Sequence, residues 1–449
     1  MPERQDPTLL TGWGGTAPTA AHLTRATSHD VAEVVRSAGS RGLIARGLGR
    51  SYGDAAQNAG GAVLAPLPEL IDLDPGSGVV RVSAGTSFHH LMERLIPWGF
   101  FVPVTPGTRY VSVGGAVAAD VHGKNHHRVG SLGNHVVDLD LVTADGQVQT
   151  VGPDSQPDLF WATVGGMGLT GVITEVRLRV LPVGSGHMVV RTERLPDLAA
   201  VMSRMREADR ESTYSVAWID TLATGPRLGR SVLTTGEHAG PEDLEGRALR
   251  HRWTVPGEPR VGVPSFVPAG LIARPTVRAF NELWFRKAPR DRRGEVQPIS
   301  AFFHPLDGVA SWNRLYGDPG FVQYQFVIPD GSHSLMPDLL ARIARAGHPS
   351  FLAVLKRFGP GNAGLLSFPI EGWTLALDLP TSPGLRALLH DLDREVVAAG
   401  GRVYLAKDSR MSAPTLAAMY PRLEEFRRIR ARLDPTGVFQ SDLSRRLSL

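Results

Sequence analysis

Short strands that run straight into glycine constrain this chain more than anything else in it. The first is Leu43-Ile44-Ala45, which enters Arg46-Gly47-Leu48-Gly49-Arg50-Ser51-Tyr52-Gly53-Asp54. Glycine takes turns that other residues resist, and consecutive backbone N–H groups in such a turn point inward around an anion. A pyrophosphate is the usual tenant. One such turn alone reads as an ordinary connection. Here a second small-residue wall follows at Gly107 and Val113-Gly114-Gly115, and a third at Asp120-Val121-His122-Gly123. Together they predict an extended anionic ligand wrapped by backbone.

A literal G-x-G-x-x-G stands at Gly166-Met167-Gly168-Leu169-Thr170-Gly171. Dinucleotide folds of the Rossmann kind need a helix after that string. The residues that follow, Val172-Ile173-Thr174-Glu175-Val176, alternate as a strand. Dinucleotide binding in the Rossmann manner is therefore excluded.

The surrounding elements alternate as in an α+β domain. A short helix within 28–42 puts Val31, Val34 and Val35 on one face. Strands are predicted at 79–82, 136–142, 147–151 and 171–181, and a helix around Leu91, Met92 and Leu95. Pro182-Val183-Gly184-Ser185-Gly186 reads as a linker. Beyond it the texture changes, and Trp218, Trp253, Trp284, Trp312 and Trp373 all fall between 187 and 400. Strand-like runs lie at Phe321–Ile328 and Trp373–Leu379, and two stretches, 255–275 and 304–319, read as long loops. A last strand, Val403-Tyr404-Leu405, leads into Ala406-Lys407-Asp408-Ser409-Arg410. A helix with Leu423, Phe426, Ile429 and Leu433 on one face follows, ended by Asp434-Pro435-Thr436-Gly437.

A chain of 449 residues is too long for one simple core, so two or three domains are expected. It has no cysteine, which excludes disulfides, zinc–thiolate sites, Fe–S clusters and a Cys nucleophile. His122, His126 and His127 have only Asp120 as a nearby acid, so no metal site is expected. Phe160 and Trp161 read as core. The net charge is +4, with arginines clustered at 286–293 and 422–432. Such clusters are ordinarily solvated surface; the sharper reading is attraction to a phosphorylated or membrane-borne ligand. No nucleic-acid-binding module accompanies them. The opening MPERQDPTLLTGWGG lacks the basic and apolar regions of a secretory signal, and no apolar run nears the ~20 residues of a spanning helix. A cytoplasmic or membrane-peripheral protein is expected, with the periplasmic face left open.

Taken in order, R-G-x-G-x-S, Pro106-Gly107 with Val113-Gly114-Gly115, His122-Gly123, a G-G-x-G-x-x-G before a strand, and D-P-x-x-x-F at Asp434 to Phe439 resemble the vanillyl-alcohol-oxidase type of FAD-binding domain. The strings LTGWG, ARGLGRSYGDAAQN, HGKNHH, LFWATVGG, YQFVIP and AKDSR are similar to one branch of that family. Its members are the flavin halves of enzymes that epimerise a polyprenylphosphoryl ribose for cell-wall arabinan synthesis. The resemblance spans Leu10 to Leu447.

It implies an α+β fold with a two-part FAD domain, 1–185 and 402–449, and an inserted substrate domain, 186–401, built on an antiparallel sheet. It implies FAD contacts from Ala45, Arg46, Gly47, Leu48, Gly49, Arg50, Ser51, Tyr52, Gly53 and Asp54 in the first turn. Gly107, Ser112, Val113, Gly114 and Gly115 would contribute from the second, and Ala119, Asp120, Val121 and His122 from the third, with Ile173 and Tyr404. Lys124, Trp218, Tyr316, Gln323, Gln325, Lys356, Ala376 and Lys407 would meet the substrate, with Trp13 close by. Related enzymes often carry Asn and Cys in a G-W-N-V-C-V-D strand; this chain has Thr374 and Ala376, which changes the polar lining. Many relatives attach the flavin through a His where Arg50 stands, so FAD is expected to be non-covalent.

The chemistry is coherent with these residues. Oxidising an alcohol removes a hydroxyl proton and a C–H hydride, and the flavin takes the hydride. Lys407, His122 and Tyr52 suit proton handling, while Lys124 and Lys356 suit an anionic partner. The expected reaction converts the ribose 2-hydroxyl of a polyprenylphosphoryl ribose to the 2-keto sugar, which an NADH-dependent short-chain reductase then reduces. The loops 255–275 and 304–319 are expected to be mobile lids that offer an apolar wall to a lipid tail. Two rival readings stand: an alditol or aldonolactone oxidase that returns electrons to O₂, and a flavin-bearing scaffold without turnover.

Overall fold

The computed structural model describes residues 6–259, 261–264, 266–267 and 270–449. Its class is the expected α+β. Two sheets carry the glycine-rich part of the chain. The smaller orders its strands Pro7–Leu10, Thr19–Thr24, Ala62–Leu64 and Leu43–Ala45, the last three being mutually parallel. The larger is antiparallel, in the order Ile71–Asp74, Val79–Ser83, Val172–Arg179, Val136–Val142 and Val148–Val151. Val31, Val34 and Val35 form the buried stripe of the helix Val31–Arg36, and pack with Leu43, Leu64, Val142, Val172 and Phe439. The strand after Gly171 is real, which confirms the rejection of a Rossmann turn.

Phe439 reaches that cluster because the chain returns at its far end. Leu43 donates its N–H to Val438 and accepts from Gln440, extending the small sheet by one bridge. Arg446 holds Asp54 through two hydrogen bonds of 2.9 and 2.7 Å and Asp408 through one of 2.8 Å.

Between these parts lies an eight-stranded antiparallel sheet. Its order is Asp291–Pro298, His187–Leu195, Ser231–His238, Tyr214–Ile219, Ala353–Phe358, Gly372–Pro380, Phe321–Pro329 and Arg402–Val403. Side chains alternate faces along each strand. Phe326, Leu355, Leu375 and Leu377 face a fully buried core. The residues between them form the floor of the cavity described below.

Of three connecting segments, one departs from expectation. Ser185, in the segment read as a linker, is fully buried, donates to the Ala239 carbonyl at 2.8 Å and accepts from the His187 N–H. The linker is thus packed at its second half, while Pro182 at its start is exposed. The 304–319 stretch is not a structureless loop: it forms turns at Pro305–Gly308 and Trp312–Tyr316 with a bridge strand Val309–Ala310. It is also stapled down, His304 to Thr105 at 2.9 Å and Asp307 to Thr108 and the Arg109 N–H at 2.8 Å each. The 255–275 stretch is a loop as read, apart from the bridge strand Val261–Gly262 and the helix that begins at Arg274; residues 260, 265, 268 and 269 lie outside the described residues.

Candidate active site

One cavity of about 960 Å³ runs between the glycine-rich turns and the eight-stranded sheet. Its first end is built of backbone. The Arg46 N–H goes to Leu64 and the Tyr52 N–H to Ala406, but among the described residues no protein acceptor takes the five amides of 47–51. Gly49 sits at φ +66°, where a Cβ is disfavoured and which bends those amides toward one point. A Cβ on Gly47 would collide with the Ser112 hydroxyl. Gly107 differs: its Cβ would meet nothing within 4 Å, because it would project into the cavity. A row of free amides beside open space is what a pyrophosphate and a flat ring system require, so the residues fit FAD.

The other end is built of side chains. His122 is buried among Phe358, Phe368 and Tyr404, with ring centroids 4.8 Å from Phe358 and 5.2 Å from Tyr404. Its Nε2 meets the Gln325 amide at 2.9 Å, and its Nδ1 has no protein partner. Gln325 also donates to Thr374 at 3.2 Å. Two residues along the same strand, Gln323 donates to the Tyr52 hydroxyl at 3.1 Å and to Asp378 at 2.5 Å. The Lys407 ammonium lies 3.9 Å from the centre of the Tyr52 ring. Lys124 donates to the Phe302 carbonyl, and Lys356 stands over Phe358.

The electrostatics follow from crowding cations where water is scarce. Burial pushes Lys124 down to about 7, with Lys356 adding to the effect, and Lys356 down to about 8. His122 is driven well below its usual range, first by burial and then by Lys356, His126 and Lys407. It is neutral at physiological pH. Lys407 is lowered by burial while Asp378 partly restores it; Asp378 is raised by burial in turn. Both are thereby brought toward neutrality, where one can release a proton and the other can hold it. The Tyr52 phenol is raised well above its normal range by burial, so it serves as a hydrogen-bonding group and not a phenolate.

The floor is one face of the eight-stranded sheet. Cross-strand partners come up side by side: Thr234 opposite Thr192 and Val216, Trp218 opposite Val232 and Val354, Ala376 opposite Val354 and Gln325. All of them line the cavity. Trp218 is fixed by its indole N–H on the Phe351 carbonyl at 3.0 Å. The cavity ends at Trp284, Lys287 and Arg292.

Of the residues expected at the cofactor, Ala45 through Tyr52, Gly107, Ser112, Gly114, Gly115, Ala119, Val121, His122, Ile173 and Tyr404 line this cavity. So do Trp13, Lys124, Trp218, Gln323, Gln325, Lys356, Ala376 and Lys407. Five others stand behind it. Gly53 lies against the Asp408 backbone, Asp54 is taken by Arg446, and Val113 is core. Asp120 is buried at φ +41° and accepts from Ser131, Ser367, Asn362 and the Gly133 N–H, which ties down the turn before His122. Tyr316 stacks on Phe321 at 4.1 Å. Thr374 is also buried, and holds Gln325 from below instead of lining the space. Asp378 was missed, although its string was read; only its contacts with Gln323 and Lys407, far apart in sequence, mark it. Thr192, Thr234, Val216 and Val232 were missed too, and the period-two alternation of their strands was the available signal.

Residues 19–152 match the family described as FAD binding domain, and residues 381–447 that described as D-arabinono-1,4-lactone oxidase. Over 98% of its length the chain is 45% identical to decaprenylphosphoryl-beta-D-ribose oxidase of Mycolicibacterium smegmatis, of which 97% is covered. It is 25% identical to L-gulono-1,4-lactone dehydrogenase of Mycobacterium tuberculosis, over 98% of this chain and 99% of that one. With alditol oxidase of a Streptomyces species it shares 25% identity over 98% of this chain and 99% of the other.

Proposed function

The chain belongs to the decaprenylphosphoryl-β-D-ribose oxidase family, and from that premise we propose that it oxidises the ribose 2-hydroxyl of a polyprenylphosphoryl ribose to the 2-keto sugar. It is an FAD-dependent oxidoreductase, and FAD is its cofactor. The bound flavin supplies the acceptor for the hydride that leaves C2.

The remaining work falls to this chain's residues. Lys407, lowered by burial, takes the hydroxyl proton as the C–O bond becomes a carbonyl. Asp378 sets the charge of Lys407 and, through Gln323, the position of the Tyr52 hydroxyl. His122 and Gln325 form a neutral hydrogen-bonding pair on the other side of the floor. Lys356, and Lys124 with the donors its bond to Phe302 leaves, can meet the sugar phosphate, and an anion there would restore their full charge. The amides of 47–51 would hold the pyrophosphate.

What carries the reading is the convergence of three half-buried lysines, Lys124, Lys356 and Lys407, on one end of a cavity whose floor continues as Val216, Val232, Val354 and Trp218. A free alditol or lactone has neither a phosphate for those cations nor a tail for that floor. We further propose that 1–185 and 402–449 form one FAD domain around a substrate domain at 186–401. An NADH-dependent short-chain reductase consumes the keto product. Among the described residues no helix is long and apolar enough to cross a membrane, and we place the enzyme at a membrane surface because its substrate is a lipid. Anaerobic mixing of the holoenzyme with polyprenylphosphoryl ribose tests the reading. Bleaching of the visible flavin absorbance is expected. Bleaching by free alditols or lactones alone, with steady peroxide formation in air, would establish the rival oxidase. A flavin that neither kind of substrate bleaches would mark a scaffold.

A further inference from the structure

The helix Arg274–Lys287 buries only Val277 and Asn281. A surface helix normally turns its apolar stripe to the core. This one turns a second apolar stripe outward: Phe280, Leu283 and Trp284, with Lys287 one turn on, at the 3–4 spacing of one face. Leu283 is 68% exposed, Trp284 44% and Phe280 42%. Phe280 and Trp284 stack at 6.0 Å, so the stripe is an ordered surface and not three separate side chains. Just before the helix, Leu271 is exposed as well.

The charge around it has one dominant sign. Among the described residues, Arg274, Arg278, Lys287 and Arg290 make no ion pair, whereas Glu282, the helix's only acid, is already held by Arg230 and Arg286. An exposed apolar stripe that carries Lys287 on its own face, with Arg290 just past the helix end, matches the interfacial helices that lie in a lipid headgroup region. Position supplies the other half. Trp284 and Lys287 line the far mouth of the substrate cavity, so the stripe is continuous with that opening.

We propose that the Arg274–Lys287 helix is a docking surface for an anionic bilayer, seating the cavity mouth on the membrane so that a lipid-linked sugar enters without crossing water. This deepens the reading above and rests on it for the identity of the cargo, but the surface itself is testable without any substrate.

The holoenzyme is sedimented with vesicles of phosphatidylcholine and phosphatidylglycerol, and with vesicles of phosphatidylcholine alone. Binding to the anionic vesicles, weakened by salt, is expected. Leu283→Glu and Arg290→Glu should each reduce that binding, the former by about tenfold or more, the scale of one leucine exchanged for a charge at an interface. Both variants should keep their flavin and their melting temperature, and should oxidise a short-chain, water-soluble phosphoryl ribose at the parental rate. Parental vesicle binding by both variants would overturn the proposal, as would a wild type that ignores anionic vesicles. Light scattering covers the other occupants: a dimer that Leu283→Glu splits would make this face a contact between copies and overturn the membrane assignment. Failure of every phosphoryl ribose to bleach the flavin, with vesicle binding intact, would sink the substrate reading and leave the surface standing.

Discussion

Lys407 is where charge, burial and substrate meet. It sits over the Tyr52 ring, and its proton affinity is lowered by burial and partly restored by Asp378. Replacing it with methionine keeps the length and removes the base. Lys407→Met should fold, stay yellow and reduce its flavin about a hundredfold more slowly or worse, the scale of one lost acid–base contact. Loss of FAD or of folding in that variant would instead assign the lysine to structure. The pH dependence carries a sign of its own. A base works only when deprotonated, so the wild-type reduction rate should climb with pH through the neutral range and then level. The carboxylate of Asp378 stabilises the ammonium; Asp378→Asn removes that support, and Lys407 then loses its proton more easily. The climb should move to lower pH, as measured by stopped-flow reduction across a pH series. An unmoved profile would mean that Asp378 does not set the base.

At the scale of elements, the turns and the sheet divide the labour between backbone and side chain. Gly107 opens onto the cavity with nothing near its missing Cβ, and it has no positive φ to defend. Gly107→Val should therefore leave the flavin-free protein's melting point almost unchanged while weakening FAD binding by about tenfold or more, read by flavin fluorescence titration, because the added methyls occupy ligand space. An unchanged affinity would place the flavin elsewhere. This contrast also explains what could be read from the chain alone. The glycine turns were legible because each is a local string whose chemistry is its own backbone. The floor was not, because Thr192, Val216, Val232, Val354 and Ala376 come together only through the register of five strands. Nor could the string Gly372–Asp378 show that Thr374 lies beneath Gln325 and that Asp378 lies behind Lys407. The 304–319 segment was misread for a related reason: its ties to Thr105, Thr108 and Arg109 span 198 or 199 positions, and nothing local announces them.

At the scale of the whole molecule, the residues around the cavity point to a flavin held without a covalent bond. Arg50, standing where an attaching His would be, stacks over Trp13 at 3.8 Å, and the chain has no cysteine. Unfolding should therefore release all of the flavin. Denatured protein passed over a size filter should leave its yellow colour in the filtrate, and colour kept with the polypeptide would refute a non-covalent cofactor.

The bond between Arg446 and Asp54 has a consequence in time as well as in space. Its partners are 392 positions apart, and the same guanidinium also holds Asp408, one residue past Lys407. On the ribosome, the glycine turn that should cradle the pyrophosphate emerges long before the residues that brace it, which are made 392 positions later. Throughout that interval the nascent chain has a cofactor site with one wall missing. Flavin loading is expected to follow synthesis of the helix that carries Arg446, and a chain stalled before it should leave the ribosome colourless.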